Sequence, residues 1–319
     1  MNFIPALITI ILTLFVLLLC GYFCRKLGII NNESSKGLSK LIIAVGQPAM
    51  IIGALANAQY NDTNVTIAWQ VLLIGFAMHL LLSLIAFPIS RCVKHRDQAK
   101  IFEFSLVFGN CGFIGFPILD SILGPGIGSF MGAFFVISFH IFLWTWGILI
   151  LGRNRPDIRM TVKKVLLNYG TVPCLIGAVL YLIKPWFDVT ATLPFLGSAV
   201  SYLGNLCTPI SVLITGALLA TMSLPKIFTN KRIYIHSAIR LLAFPVIFCL
   251  LAKLCGLSDT YVLLITSMAG VPSAATITML AEIHDIEPAY ASQTVGMTSV
   301  LSTATLPVVM LFAQWICTL

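Results

Sequence analysis

Apolar residues run along this chain in stretches of about 20, the length needed to cross a bilayer as a helix, separated by short polar or turn-forming links. Ten such stretches are expected, at residues 3–24, 38–58, 67–90, 101–121, 127–151, 162–184, 194–221, 232–254, 260–283 and 289–317. The links include Asn31-Asn32-Glu33-Ser34-Ser35 and Gly124-Pro125-Gly126, whose residues suit chain at a membrane interface. A polar linker over 153–160 divides the chain into a first half, 1–152, and a second half, 161–319, with five helices in each. The first run, Phe3 to Cys24, has no positive residue before it and no small-residue cleavage site after it, so it is expected to persist as a spanning helix.

Two of the stretches are interrupted. Gly109-Asn110-Cys111-Gly112-Phe113-Ile114-Gly115-Phe116-Pro117 breaks helix four, and Gly270-Val271-Pro272-Ser273-Ala274-Ala275-Thr276 breaks helix nine. Each break frees backbone groups that lipid cannot satisfy, so a protein-lined cavity must receive them. Broken helices at corresponding places in two halves are the sequence mark of a secondary transporter.

The halves also share shorter matches. Helix two reads Gln47-Pro48 and then an aliphatic run ending Gly53-Ala54-Leu55, and helix seven reads Thr208-Pro209 and then a run ending Gly216-Ala217-Leu218. Helix three carries Ala86-Phe87-Pro88 and helix eight Ala243-Phe244-Pro245, with a histidine nine residues before each proline, His79 and His236. Because each repeat holds an odd number of helices, the second copy must be upside down relative to the first. The expected fold is therefore an all-α integral membrane protein of ten transmembrane helices, built as two inverted five-helix repeats with discontinuous helices four and nine crossing.

Composition agrees with a membrane solvent. A chain that is 59% hydrophobic and 9% charged has too little polar surface to cover a soluble globule. The formal net charge of +8 reflects orientation, since sixteen of nineteen lysines and arginines fall on alternate links. These links carry Arg25, Lys26, Lys36 and Lys40; Arg91, Lys94, Arg96 and Lys100; Arg153, Arg155, Arg159, Lys163 and Lys164; and Lys226, Lys231 and Arg232. The positive-inside rule puts them in the cytoplasm and both termini outside. No soluble basic face is left for nucleic acid. The nine cysteines mostly sit in apolar runs, where they act as small hydrophobes, and imply neither a disulfide framework nor a metal site.

The chemistry is expected at the breaks. Half-helix ends present unpaired N–H groups with partial positive charge and unpaired carbonyls with partial negative charge, and two of them crossing at midplane make a small polar site. The candidate substrate-binding residues are Asn110, Cys111, Gly112 and Pro117 from the first break, Gly270, Pro272, Ser273 and Thr276 from the second, and Gln47 and Arg240 from neighbouring helices. Asn110 offers a donor and an acceptor, Pro117 suits the opening turn of a second half-helix, and Ser273 and Thr276 offer hydroxyls for capping or for a ligand. A helix N-terminus aimed at the cavity favours an anion such as a carboxylate.

Arg240 is the one basic residue well inside an expected helix, where it either holds an anionic substrate or snorkels to the cytoplasmic interface. His79 and His140 lie near helix centres, either as coupling-proton carriers or as neutral buried groups making one hydrogen bond each. Glu103 and Asp120 flank helix four near the interfaces, and Glu282, His284, Asp285 and Glu287 read as a solvated acidic loop. A mid-membrane pair of aspartates, Gly-x-Ser-x-Gly, His-Glu-x-x-His and a phosphate-binding glycine loop are all missing, which argues against a cation antiporter, an enzyme and an ATP-driven pump. No cofactor or metal is called for.

The stretch from Phe104 to Pro117, the Pro272-Ser273-Ala274-Ala275 element and the run Arg240-Leu241-Leu242-Ala243-Phe244-Pro245 resemble the auxin efflux carrier family of membrane transporters, particularly its short bacterial members. The early Gly21-Tyr22 helix end, Lys26-Leu27-Gly28-Ile29-Ile30 and Pro48 extend the resemblance over nearly the whole chain. It implies a scaffold and a transport domain, crossing helices four and nine, and passage of organic anions such as auxin, malonate or malate. Asn110 matches the family's crossover asparagine, and Pro117 and Pro272 match its break positions. The chain departs from the plant members in having only a short central loop, Gly152 to Met160, and no asparagine in the second break.

The expected function is a secondary carrier of small carboxylates working by alternating access in a bacterial inner membrane, with the lipid bilayer as a partner; a homodimer fits the resemblance. Two other readings stay open, a membrane receptor that binds such a ligand without moving it and a sodium-coupled symporter of bile-acid type. The sequons at Asn61 and Asn64 matter only in a secretory pathway.

Overall fold

A computed structural model describes residues 4–155, 158, 161, 167–221 and 230–319. Parts of the expected linker (156–157 and 159–160), the start of the expected sixth helix (162–166), Lys226 and the Glu282 side chain lie outside the described residues.

Every named element is helical. The first half comprises α1 (Ile4–Lys26), α2 (Asn32–Leu41), α3 (Gln47–Ala56), α4 (Asp62–Ser90), α5 (Arg96–Val107), α6 (Gly115–Leu123), α7 (Ile127–Phe142) and α8 (Ile148–Gly152). The second comprises α9 (Thr171–Ile183), α10 (Val189–Thr192), α11 (Pro194–Asn205), α12 (Cys207–Thr221), α13 (Lys231–Ala238), α14 (Phe244–Leu254), α15 (Asp259–Gly270), α16 (Thr276–His284) and α17 (Pro288–Thr318). Seven continuous helical stretches are long and apolar enough to cross a membrane among the described residues, making this a multi-pass membrane protein. Expected helix four is two helices, α5 and α6, and expected helix nine is α15 and α16, each pair parted at its glycine and proline cluster. The first acidic-serine link is helical as well: Asn31 caps α2 by accepting from the Ser34 N–H, so the second span begins at Asn32 and not near 38.

Five-residue π-helical turns join α2 to α3 (Ile42–Gly46), α7 to α8 (Leu143–Gly147) and α13 to α14 (Ile239–Ala243). Two of them end two residues before a proline, Pro48 and Pro245. A proline ring clashes with the carbonyl four residues back, and widening the turn there relieves the clash without ending the helix. The Gln47 and Phe244 N–H groups accordingly reach back five residues, to the carbonyls of Ile42 and Ile239.

Two groups of helices emerge from the packing. One gathers α1, α2, α3, α9, α11 and α12, and the other gathers α4 to α8 with α13 to α17. The first group is held by backbone proximity as much as by side chains. A Cβ on Gly21 would overlap the Leu213 carbonyl, and one on Gly216 would overlap that of Leu18, so α1 and α12 touch main chain to main chain. Lipid supplies no hydrophobic drive for helix pairing, so small residues that permit such contact do the work that Leu and Ile do in a soluble core.

The second group is tied at its basic end. Glu103 is fully buried, which differs from its expected interfacial setting, because Arg153 crosses from the end of α8 to bind it at 2.5 and 2.7 Å while Ser90 at the end of α4 donates to it at 2.9 Å. Asp120 caps the start of α7, accepting from the backbone N–H groups of Gly126 and Ser129. Gly216→Ala should destabilise the protein by about 1–3 kcal/mol through overpacking. Gly37→Ala, whose Cβ would meet nothing within 4 Å, should stay within about 0.5 kcal/mol. Thermal unfolding of both variants in detergent checks the pair, and equal midpoints would contradict the backbone contact.

Candidate functional site

The two breaks meet. Gly109 and Ser273 form an isolated antiparallel bridge, in which the Asn110 N–H donates to the Pro272 carbonyl at 2.7 Å and the Ala274 N–H donates to the Phe108 carbonyl at 2.9 Å. Groups that a broken helix leaves orphaned inside a membrane are thus satisfied by the other broken helix. Side chains complete the junction: Ser273 donates its hydroxyl to the Ser105 carbonyl at 3.0 Å and its N–H to Thr298 Oγ1 at 3.2 Å. Proline at 272 can enter such a bridge because its carbonyl is used and its missing N–H is not needed.

Asn110 turns the chain from one half-helix into the next. Its Oδ1 accepts from the Phe113 N–H at 3.3 Å and its carbonyl accepts from the Gly115 N–H at 3.1 Å, leading into α6 with Pro117 in the first turn. Its side-chain NH2 donates to no protein group among the described residues. Thr276 is the first residue of α16 and Gly270 the last of α15, so both flank the bridge. Cys111 is buried, and Gly112 faces Met50, its notional Cβ 3.6 Å from Met50 Cε.

Arg240, carried by the π-turn before α14, points into the crossing and not toward the interface. It is 1% exposed, and its Nη1 lies 3.4 Å from the Leu106 carbonyl at the end of α5. Its Nη2 sits where a Cβ on Gly109 would be, so glycine at 109 makes room for the guanidinium. No carboxylate pairs with it among the described residues, and its Nε has no partner there. Among the described residues the guanidinium is held by the carbonyl end of a helix, whose partial negative charge compensates far less than a full counter-charge.

The ten expected site residues do not share one surface. Nine belong to the crossing, while Gln47 lies across the boundary between the helix groups, 2.9 Å from the imidazole of His140. His140 and His79 each make one hydrogen bond, His79 to the Gly75 carbonyl within a ring of Phe108, Phe135, Phe139 and Phe142.

A cavity of about 570 Å³ opens beside the crossing, between α3 and α11 on one side and α6 and α7 on the other. Its polar lining is uncharged: Asn57, Gln59, Asn64, Ser129, Ser201 and Asn205, over a floor that includes Met50, Phe116 and Gly204. Sequence reasoning missed these residues. Apart from Ser201, inside α11, they sit at helix ends and in a link, where asparagine and serine ordinarily read as caps, and nothing in the linear order shows that separate segments converge. Gly109→Ala should cost about 2 kcal/mol, because the added methyl displaces Arg240 and comes 2.9 Å from Val271 Cγ2. Gly112→Ala, in ordinary contact with Met50, should be near neutral. Thermal unfolding again decides, and equal effects at 109 and 112 would contradict the placement of the guanidinium.

The chain matches the model of a family described as membrane transport proteins over residues 6–159 and 155–310. A protein of Methanocaldococcus jannaschii described as an uncharacterized transporter is 23% identical over 306 residues, covering 92% of this chain and 94% of the relative. Another uncharacterized transporter, from Methanothermobacter thermautotrophicus, is 22% identical over 299 residues, covering 93% and 95%. The uncharacterized transporter YfdV of Escherichia coli is 24% identical over 127 residues, covering 37% and 38%. With a membrane-spanning helical fold, two broken helices paired at their breaks and a family match along nearly its whole length, the chain belongs to the auxin efflux carrier family of membrane transport proteins.

Proposed function

We propose that this transporter moves small organic anions, carboxylates of the malonate, malate or indole-acetate kind, by alternating access at the crossing. The observation that carries the reading is Arg240, a buried guanidinium that has no carboxylate partner among the described residues, together with the side-chain NH2 of Asn110 in the adjoining break, which donates to none of them. A buried charge is costly unless something of opposite sign visits it, and a carboxylate fits the planar fork of a guanidinium. In this reading the group around α1, α3, α9, α11 and α12 is the scaffold and the group around the breaks is the transport domain. The halves 1–152 and 161–319 are the inverted repeats, giving ten crossings with the basic links in the cytoplasm and both termini outside. The cavity is the path from the outer side to the crossing, and its uncharged lining lets an anion approach without being trapped by an opposing charge.

Uptake of labelled malonate, malate and indole-acetate into proteoliposomes, with and without a pH gradient, tests this. Saturable uptake is expected for at least one acid, with a fall of tenfold or more in Asn110→Ala and in Arg240→Gln, since a charge-assisted hydrogen bond is worth about 1.5–3 kcal/mol. Binding of the acids without flux in the parent protein would favour a receptor, and flux unchanged in both variants would remove the crossing as the site.

A further inference from the structure

Few polar contacts join the two helix groups among the described residues, and two of them occupy matching places. Gln47, in the first group, gives its side-chain amide to His140 of α7 at 2.9 Å. Thr208, in the same group, donates its hydroxyl to the carbonyl of Phe113 in the first break at 3.0 Å. Each is the residue just before a proline, Pro48 or Pro209, in the two helices whose sequences match between the halves.

Both contacts lie directly beneath the cavity. Met50, on its floor, is one turn along α3 from Gln47, and Asn205, at its edge, is three residues before Thr208. The ring of His140 is pressed against Gly170 at the start of α9, where a Cβ would overlap it, so the second group reaches into the first with no space to spare. Above this level the groups stand apart around about 570 Å³, while where α1 and α12 face α6 and α17 the gap between them holds only about 30 Å³, lined by residues such as Leu18, Val212 and Leu306. Apolar contact resists sliding weakly inside a membrane, where lipid competes on equal terms, so the hydrogen bonds set the register of the two groups.

We propose that Gln47–His140 and Thr208–Phe113 form a paired latch that closes the path from the crossing to the basic end of the molecule, and that both bonds break together when that path opens. The role differs from the ligand contact expected of Gln47. It rests on the transport reading above, but its readout does not require flux. Releasing Thr208 frees the carbonyl of Phe113 within the break itself, which links opening of the latch to the backbone that shapes the site. The Gln47 bond acts on α7, at the other side of the same gap.

Two native thiols report on the latch, Cys111 in the break and Cys207 beside Thr208, which are 2% and 0% exposed. The purified full-length protein in nanodiscs is pulsed with a maleimide and alkylation is read at each cysteine by mass spectrometry. Gln47→Leu and Thr208→Val should each speed alkylation of Cys111 and Cys207 about fivefold, and the double variant more than tenfold, the change expected for one and two lost hydrogen bonds. Cys249, 0% exposed within α14, should stay slow and so exclude unfolding. Thr208→Ser, which keeps the hydroxyl, should behave as the parent. Unchanged alkylation in variants whose Cys249 remains protected, or a Thr208→Ser rate equal to that of Thr208→Val, would overturn the latch. Faster alkylation in a protein that carries none of the tested acids would leave the latch standing and remove only the anion reading.

Discussion

Everything in this molecule depends on how it disposes of backbone polar groups where two helices stop inside a membrane. An unsatisfied N–H or carbonyl costs several kcal/mol in hydrocarbon, so an isolated break would be untenable. Here the breaks are tenable as a pair, because Asn110 donates to Pro272 and Ala274 donates to Phe108 in one short antiparallel bridge. The bridge fixes the relative position of four half-helices, and their ends then create the dipolar setting into which Arg240 is drawn. A membrane protein without broken helices would have no such polar centre.

From this constraint follows a division of labour between the helix groups. The group that holds the bridge needs internal rigidity, and it has the pairing of buried Glu103 with Arg153, the Ser273–Ser105 contact and the aromatic ring around His79. The other group is unified by close main-chain approach of α1 and α12 through Gly21 and Gly216. Two bodies that are each firmly bound internally, and joined by a cavity, apolar helix contact and a few hydrogen bonds, have the mechanical form needed for one to shift against the other.

Much of this was legible in the linear sequence because membrane length, proline and glycine act locally. Seven of the ten expected spans, the two breaks and the matched Pro48/Pro209 and Pro88/Pro245 motifs can be read from spacing alone, and the breaks fall where glycine and proline cluster. The direction of Arg240 was not legible, since a long side chain two turns inside a helix can extend either way and only the space left by Gly109 decides. The Glu103–Arg153 pair joins residues 50 positions apart, and the amide-lined cavity draws on segments spread from Ala49 to Asn205. Such features arise from helix packing, which hydropathy does not encode. Gln47 shows the same limit, because its amide at a helix kink read as a ligand group until its partner on α7 was seen.

The central claim is that the two helix groups move relative to each other across the cavity when an anion occupies the crossing. Spin labels at Val200 on α11 and Ile127 on α7, which face one another over the cavity, test it most directly by pulsed dipolar distance measurement in nanodiscs. The account predicts at least two distance populations, with saturating malonate, malate or indole-acetate shifting weight between them in the parent protein and not in Arg240→Gln. A single distance that no transported acid alters would contradict it.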